Sequence, residues 1–158
     1  MSKVLVAYFS ASGVTAKVAK RLSNVIGADL YEIMPESPYI NADLNWQDKQ
    51  SRSSVEMNDR NSRPAIGNTV SDMDKYDVVF VGFPIWWYRE PSIIDTFMEA
   101  YSFDGKTVIP FATSGSSGMG DSSDNMQKLA KGAKVVQGKR FGSNAPDDEL
   151  KAWAEEWI

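Results

Sequence analysis

A short loop rich in hydroxyl side chains separates an apolar segment from an amphipathic one near the start of the chain. It runs Ser10-Ala11-Ser12-Gly13-Val14-Thr15 and contains neither a lysine nor an acidic residue. Hydroxyl and backbone N–H groups at the start of a helix can bind a phosphate without a metal ion. An ordinary turn that caps a helix has a similar composition, so this loop alone leaves both interpretations open.

Two further loops carry side chains that suit a planar ring. The segment Pro84-Ile85-Trp86-Trp87-Tyr88 offers large aromatic surfaces, which a loop of a soluble protein does not normally expose without a partner. The segment Thr113-Ser114-Gly115-Ser116-Ser117-Gly118 has small side chains, so its backbone N–H groups can approach the polar edge of a ring. Taken together, a phosphate loop, aromatic walls and amide donors predict a binding site for flavin mononucleotide (FMN).

The elements that must position these loops alternate between strand and helix patterns. Continuous apolar runs are typical of strands buried on both faces of a parallel sheet, and they lie at 4–9 and 78–83. A further strand is predicted at 106–112. Weaker strand patterns lie at 28–34 and 135–141. Apolar residues recur at helical spacing in the segments between, at 14–26, 91–101, 121–131 and 146–158. We therefore predict an open α/β sandwich of three layers around a five-stranded parallel sheet, with ligands bound beyond the carboxyl ends of the strands.

Individual apolar positions are assigned within this scheme. Val14 heads the buried stripe of the first helix, and Gly27 ends that helix. Trp153, Trp157 and Ile158 share one face of the last helix, and the two tryptophans are predicted to belong to the core.

A long polar connector lies between the second and third predicted strands. It runs from Glu36 to Met73, and we interpret it as a partly helical crossover with a lid-like portion and a short helix at 43–49. Trp46 or Arg52 could contact a flavin, a substrate or another subunit. A packed aromatic and a solvated charge are the favoured interpretations of these two residues.

Composition excludes several classes of chemistry. The 158 residues are expected to form one domain, 1–158, and their formal net charge of −4 disfavours nucleic acid or an anionic membrane as a partner. The chain has no cysteine and no histidine, which excludes disulfides, thiolate catalysis, iron–sulfur clusters held by this chain, histidine metal sites and Ser-His-Asp triads. No signal peptide or membrane span is apparent, so a cytoplasmic location is expected.

Over essentially its whole length the chain resembles the flavodoxin family, and most closely a short-chain branch with Pro-Ile-Trp-Trp after the third strand. The matching motifs are Ser10, Ser12, Gly13 and Thr15 in the phosphate loop, the stretch from Phe83 to Trp87, and the stretch from Pro110 to Gly115. The resemblance implies the strand order 2-1-3-4-5, FMN as cofactor, and no catalytic side chain or metal ligand. It also implies three sets of FMN contacts: Ser10, Ala11, Ser12, Gly13, Val14 and Thr15 at the phosphate; Pro84, Ile85, Trp86, Trp87 and Tyr88 beside the ring; and Thr113, Ser114, Gly115, Ser116 and Gly118 at its polar edge and ribityl chain.

The function implied is electron transfer by a flavin that cycles between oxidised and reduced forms, with redox proteins or small molecules as partners. An FMN-dependent NAD(P)H oxidoreductase of a small acceptor such as a quinone is the alternative within the same chemistry. A phosphate- or FMN-binding module without redox activity, or a signalling module, is the alternative of another class. A phosphoacceptor receiver fits poorly, because Tyr8-Phe9-Ser10 stands where its acidic cluster is required. A nucleotide P-loop fits poorly as well, because Gly13-Val14-Thr15 lacks the lysine. The aromatic loop lacks the acidic residues typical of flavodoxins near the ring, and Glu90 is the nearest acid in sequence.

Overall fold

The computed structural model describes residues 3–114 and 118–158 and places a parallel sheet between two helical layers. The sheet has the predicted order β2-β1-β3-β4-β5, and an additional short strand, β6, pairs with β4. Its strands are β1 (Val4–Tyr8), β2 (Asp29–Glu32), β3 (Val78–Pro84), β4 (Thr107–Thr113), β5 (Lys134–Val135) and β6 (Lys139–Phe141). The helices are α1 (Val14–Ile26), α2 (Arg52–Asn58), α3 (Ser92–Ala100), α4 (Ser122–Leu129) and α5 (Asp147–Ala154), with 3₁₀ turns at Asn41–Leu44, Met73–Lys75 and Glu155–Trp157.

Alternate residues of the central strands enter two separate cores, one on each face of the sheet. Val79 and Val81 of β3 pack in the core that α3 covers, whereas Phe80 packs in the core that α1 and α5 cover. The side chains of these three residues are fully buried, because helices cover both faces of a parallel sheet. This burial explains why the strands read as unbroken apolar runs in the sequence.

The register of the strands brings the three predicted loops to one edge. Pro84 at the end of β3 is opposite Thr113 at the end of β4, and Tyr8 at the end of β1 is opposite Gly82. The bond from Phe9 N–H to the Gly82 carbonyl (2.9 Å) continues this pairing one residue beyond β1. The loops that follow β1, β3 and β4 therefore start within a few residues of one another.

The fifth strand is divided, and a proline in its neighbour explains the division. Val136 N–H donates to the Val108 carbonyl (3.0 Å), and pairing then stops until β6. Along β4, the next residue whose backbone points toward the fifth strand is Pro110, and proline has no N–H to donate. The predicted continuous run at 135–141 is thus two short segments on either side of this gap.

Three other assignments require correction. The short helix predicted at 43–49 is wrong: the side chains of Asn45 and Asp48 accept hydrogen bonds from nearby backbone N–H groups and form turns there instead. The helical part of the connector is α2, which begins at Arg52. Val14 and Ile158, placed on buried helix faces, are both exposed because each lies at a helix end. Trp153 and Trp157 do pack against the core, with Trp153 5.6 Å from the Phe80 ring.

The long connector leaves and rejoins the sheet at a single point. Glu36 N–H donates to the Ala65 carbonyl (2.9 Å) and Gly67 N–H donates to the Met34 carbonyl (2.7 Å), which joins its two ends. The Asn68 side chain closes the junction, with its amide donating to Glu32 and its oxygen accepting from the Tyr31 hydroxyl. Within the described residues, no helix has the length and apolar character needed to cross a membrane.

Candidate functional site

The loop after β1 leaves the start of α1 without a side-chain cap. Gly13 is the N-cap residue and has a left-handed backbone conformation (φ 94°), which glycine adopts without strain. The Ser10 hydroxyl accepts a hydrogen bond from Gly13 N–H (3.1 Å), so it shapes the loop before the helix rather than capping it. No described side chain bonds to the first-turn N–H groups, and no acidic residue lies in that turn. These N–H groups and the positive end of the helix dipole therefore suit an anion.

Thr15 joins the phosphate loop to the end of β4. Its hydroxyl is buried and lies 2.6 Å from the hydroxyl of Thr113, so each threonine has a partner within the protein. This bond ties together two of the three loops that sequence reasoning had assigned to one site.

A polar cavity of about 500 Å³ opens beside this joint. It is lined by Ser12, Val14, Pro84, Thr113, Ser114, Arg140 and residues 142–145. Val14 lines the cavity because it is the first residue of α1, which is also why it is exposed. Ser10, Gly13 and Thr15 shape the loop without lining the cavity.

Arg140 lies in this cavity and was missed by sequence reasoning. It follows the gap in the fifth strand, and its guanidinium donates to the Ser114 carbonyl (2.8 Å) and to the Ser114 hydroxyl (3.3 Å). Among the described residues that line this cavity, Arg140 is the one with a charged side chain. Its one local signal is its place at the carboxyl end of a strand, where a cation is available to an anionic ligand.

The aromatic loop after β3 is a tight two-residue turn. The backbones of Trp86 and Arg89 form two reciprocal hydrogen bonds, with N···O distances of 3.0 and 3.1 Å. Trp87 and Tyr88 form the tip with φ values of 48° and 66°, a left-handed conformation that bulky residues rarely adopt. Strain of this kind persists where the surrounding structure or a function requires it.

The two tryptophans of this turn lie in different environments. Trp86 packs edge-on against the rings of Phe9 and Tyr39, with centroids 5.6 and 5.5 Å away. Trp87 is 38% exposed and Tyr88 is 77% exposed. The left-handed turn thus packs one partly buried aromatic side chain against the core and leaves the next two exposed.

An aromatic cavity of about 680 Å³ lies against this turn. Its lining residues are Ala11, Ser12, Leu44, Trp46, Ser53, Pro84, Ile85, Trp86, Trp87 and Tyr88. Trp46 is 69% exposed at the rim, so the interpretation as a packed aromatic is wrong. Neither Leu44 nor Ser53 was predicted from the sequence as a residue of the site.

The wall that the connector contributes is held by a network centred on Tyr39. The Tyr39 hydroxyl donates to Glu56 (2.5 Å), and the Arg52 guanidinium lies 3.8 Å from the centre of the Tyr39 ring. Arg52 also bonds to Glu56 (3.0 Å) and to the Ser37 carbonyl (2.6 Å). Burial and the bond to Glu56 raise the pKa of Tyr39. Arg52, favoured above as a solvated charge, is instead a partly buried structural residue that lines neither cavity.

The segment after β4 packs closely on the aromatic turn. Asp121 N–H donates to the Tyr88 carbonyl (3.3 Å), and a Cβ at Gly120 would lie 1.8 Å from that oxygen. Glycine at 120 is therefore required by the close approach of two backbones. Thr113 and Ser114 line the polar cavity, Gly118 is exposed outside both linings, and Gly115 and Ser116 lie outside the described residues.

Glu90, the acid nearest to the aromatic loop in sequence, points away from both cavities into a buried cluster. Its Oε1 accepts from the Asn125 amide (3.1 Å), while Glu90 Oε2 and Asp95 Oδ1 are buried without a donor in the described structure. Burial, followed by the hydrogen bond to Asp95, raises the pKa of Glu90 to about 9. Arg89 lies 3.4 Å from Asp95, and Arg63 lies 3.9 Å from the same carboxylate.

The two cavities adjoin and fit the two halves of FMN. They share Ser12 and Pro84 in their linings. The polar one has a helix N-terminus and an arginine for a phosphate, and the aromatic one has exposed indole and phenol rings for a flat heterocycle. The unpartnered Ser53 hydroxyl in the aromatic cavity adds a polar group suited to a ring edge.

Comparisons with known proteins agree with this geometry. A family model described as Flavodoxin matches residues 3–157. A Bacteroides eggerthii protein inferred to be a flavoprotein has a crystal structure of TM-score 0.93 at 47% identity, with 99% of this chain and 98% of that chain covered. A Bacteroides uniformis protein inferred to be a flavoprotein has a TM-score of 0.92 at 45% identity, with 98% of each chain covered. A Lactobacillus acidophilus flavoprotein in complex with FMN has a TM-score of 0.74 at 22% identity, with 99% of each chain covered. Among curated proteins, no match is found.

Proposed function

The chain belongs to the flavodoxin family with FMN as its cofactor, and from this premise we propose that it is an electron-transfer flavoprotein. The bound flavin supplies the redox chemistry by cycling between its oxidised and reduced forms. The chain's own residues bind the cofactor, orient its ring and set the charge around it.

The observation that carries this proposal is the pair of adjoining cavities. Ser12, the start of α1 and Arg140 offer the polar cavity to the phosphate, while Trp87 and Tyr88 offer the aromatic cavity to the ring. The described lining residues include no carboxylate, and the chain has no histidine or cysteine, so these linings offer serine and threonine hydroxyls but no carboxylate or imidazole base to activate them. Such a lining suits electron transfer better than hydrolytic or acyl-transfer chemistry.

The charges around the cavities favour reduction of the ring. A reduced flavin is anionic near neutral pH, and no described carboxylate lines the cavities to repel that charge. Glu90 is buried elsewhere, and burial raises the pKa of its carboxyl group. Arg140 adds a positive charge on the phosphate side. We therefore expect a reduction potential above that of carriers whose flavin lies among acidic loops.

A second candidate is an FMN-dependent NAD(P)H oxidoreductase of a small acceptor such as a quinone. The observation that favours it is the wall formed by the connector, since Leu44, Trp46 and Ser53 extend the aromatic cavity beyond the strand-end loops. An open cavity bounded by exposed aromatics could admit a planar acceptor beside the flavin.

Two measurements test these functions on one preparation. A spectroelectrochemical titration of the FMN-loaded protein is expected to show reversible reduction and reoxidation. Loss of FMN during the cycle, or a flavin that binds but cannot be reduced, contradicts electron transfer. Steady-state oxidation of NADH and NADPH with a quinone then separates the candidates, because sustained turnover supports the oxidoreductase and its absence supports the carrier.

A further inference from the structure

Three serines at the start of α2 are all buried, and within the described residues two of them have hydrogen-bond partners. The Ser51 hydroxyl donates to the Ser54 hydroxyl (2.9 Å) and accepts from Ser54 N–H, which caps the helix. The Ser53 side chain is 2% exposed, and its hydroxyl has no hydrogen-bond partner in the part of the chain that the structure describes. A buried hydroxyl without a partner is unfavourable, and most such groups in folded proteins are satisfied.

Ser53 belongs to the connector and lines the aromatic cavity together with residues of the strand-end loops. Ser122, another buried serine without a described partner, lines neither cavity. Position therefore distinguishes Ser53, because of these two serines it is the one that borders a cavity.

The backbone that carries Ser53 is firmly attached to the rest of the protein. The Arg89 guanidinium donates to the Met57 carbonyl (3.4 Å) and the Ser92 hydroxyl donates to the Glu56 carbonyl (3.3 Å), which joins α2 to the start of α3. Glu56 also accepts the bond from Tyr39. A hydroxyl on such a preorganised wall can bind a ligand with little loss of conformational freedom.

We propose that the Ser53 hydroxyl forms a hydrogen bond with the polar edge of the flavin ring, a contact that rests on the proposed function above. A serine hydroxyl can donate to a ring carbonyl or nitrogen and can accept from a ring N–H, so it suits a flavin in either redox state. The connector thereby contributes a cofactor contact that the loops after β1, β3 and β4 do not supply. The bond also fixes the ring within the aromatic cavity.

The test compares Ser53→Ala with Ser54→Ala, its buried neighbour whose hydroxyl is already paired. For Ser53→Ala we expect FMN affinity to fall by about 2- to 12-fold, the range for one net hydrogen bond, with no loss of thermal stability in the cofactor-free protein. Riboflavin affinity is expected to fall by the same factor, because the contact is to the ring and not to the phosphate. The absorbance band of the bound flavin is expected to shift, since its hydrogen bonding has changed.

The control variant is expected to show the reverse pattern. Ser54→Ala should lower the melting temperature, because Ser51 loses its partner, and should leave FMN affinity and the flavin spectrum unchanged. Ser53→Cys keeps a side chain of similar shape with a weaker hydrogen-bonding group, so an intermediate affinity is expected.

Equal FMN affinities and flavin spectra for wild type and Ser53→Ala would overturn the proposal, whatever happens to acceptor turnover. A wild-type protein that binds no FMN would overturn the proposed function itself. The two failures are therefore distinguishable on the same set of proteins.

Discussion

Trp86 and Trp87 are adjacent in sequence but have different surroundings, so they are expected to contribute differently. Trp86→Ala removes the edge contacts to Phe9 and Tyr39 and should lower the free energy of unfolding by roughly 3 kcal/mol. Trp87→Ala should leave stability nearly unchanged but weaken FMN binding by about 0.5–1.5 kcal/mol, the range for an aromatic pair. Urea unfolding and flavin fluorescence titration measure the two effects.

The two tryptophans are also expected to differ in their effect on the reduction potential of the bound flavin. An electron-rich indole face favours the neutral oxidised ring over the reduced anion, so loss of Trp87 should raise the two-electron potential. A difference of about 1.4 kcal/mol corresponds to about 30 mV. If Trp86→Ala changes affinity and potential while Trp87→Ala changes neither, the assignment of the outward tryptophan to the ring is wrong.

Arg140 has a separate expected effect, because it lies in the polar cavity. Arg140→Met should weaken FMN binding by about 1.5–3 kcal/mol, the range for a hydrogen bond to a charged group, and leave riboflavin binding unchanged. Lys139→Met is the matched control, since Lys139 is exposed, pairs with Glu149 and lines neither cavity. Equal losses for both ligands would mean that Arg140 acts only by positioning Ser114.

The connector between β2 and β3 is an element whose attachment can be tested directly. Arg52→Met removes the bonds to Glu56 and Ser37 and the contact with the Tyr39 ring. We expect faster amide hydrogen exchange between residues 43 and 63 in this variant, with slower exchange in wild type when FMN is added. Lys49→Met, at an exposed turn, is the control. Exchange that FMN leaves unchanged would make the connector peripheral to the site.

At the scale of the whole molecule, the carboxyl pair behind the aromatic turn couples stability to pH. Burial and the Asp95 hydrogen bond raise the pKa of Glu90 from its ordinary 4.5 to about 9, so between these values the folded state holds one proton more than the unfolded chain. The contribution of Glu90 to the free energy of unfolding is therefore fully present below about pH 4.5 and is lost as the pH rises to about 9. The slope is at most about 1.4 kcal/mol per pH unit.

Glu90→Gln should flatten this dependence. The amide stays neutral at every pH, donates to Asp95 and accepts from Asn125, so the fold is retained. Urea unfolding between pH 6 and pH 9 compares this variant with wild type and with Glu149→Gln, whose carboxyl group is exposed. A variant with the wild-type slope would show that Glu90 is ionised in the folded state.

The features predicted from sequence are those that depend on neighbouring residues. Unbroken apolar runs predicted the central strands, and Gly27 ends α1 in a left-handed conformation as expected. The loops after β1, β3 and β4 were assigned to one edge, because parallel strands with helical crossovers bring their carboxyl ends together. The split of the fifth strand was readable in principle from Pro110.

The remaining features depend on contacts between residues far apart in the chain. Ser51, Ser53 and Ser54 are the same residue type, and only the tertiary structure pairs two of them and places the third in the wall of a cavity. Arg140 reaches the polar cavity because β6 lies beside β4. Trp87 is exposed because it lies at the tip of a left-handed turn whose preceding residue, Trp86, packs against the core. The sequence therefore determined the fold and the edge at which the site lies, whereas packing decided which side chains face the ligand, because that depends on which groups already have partners.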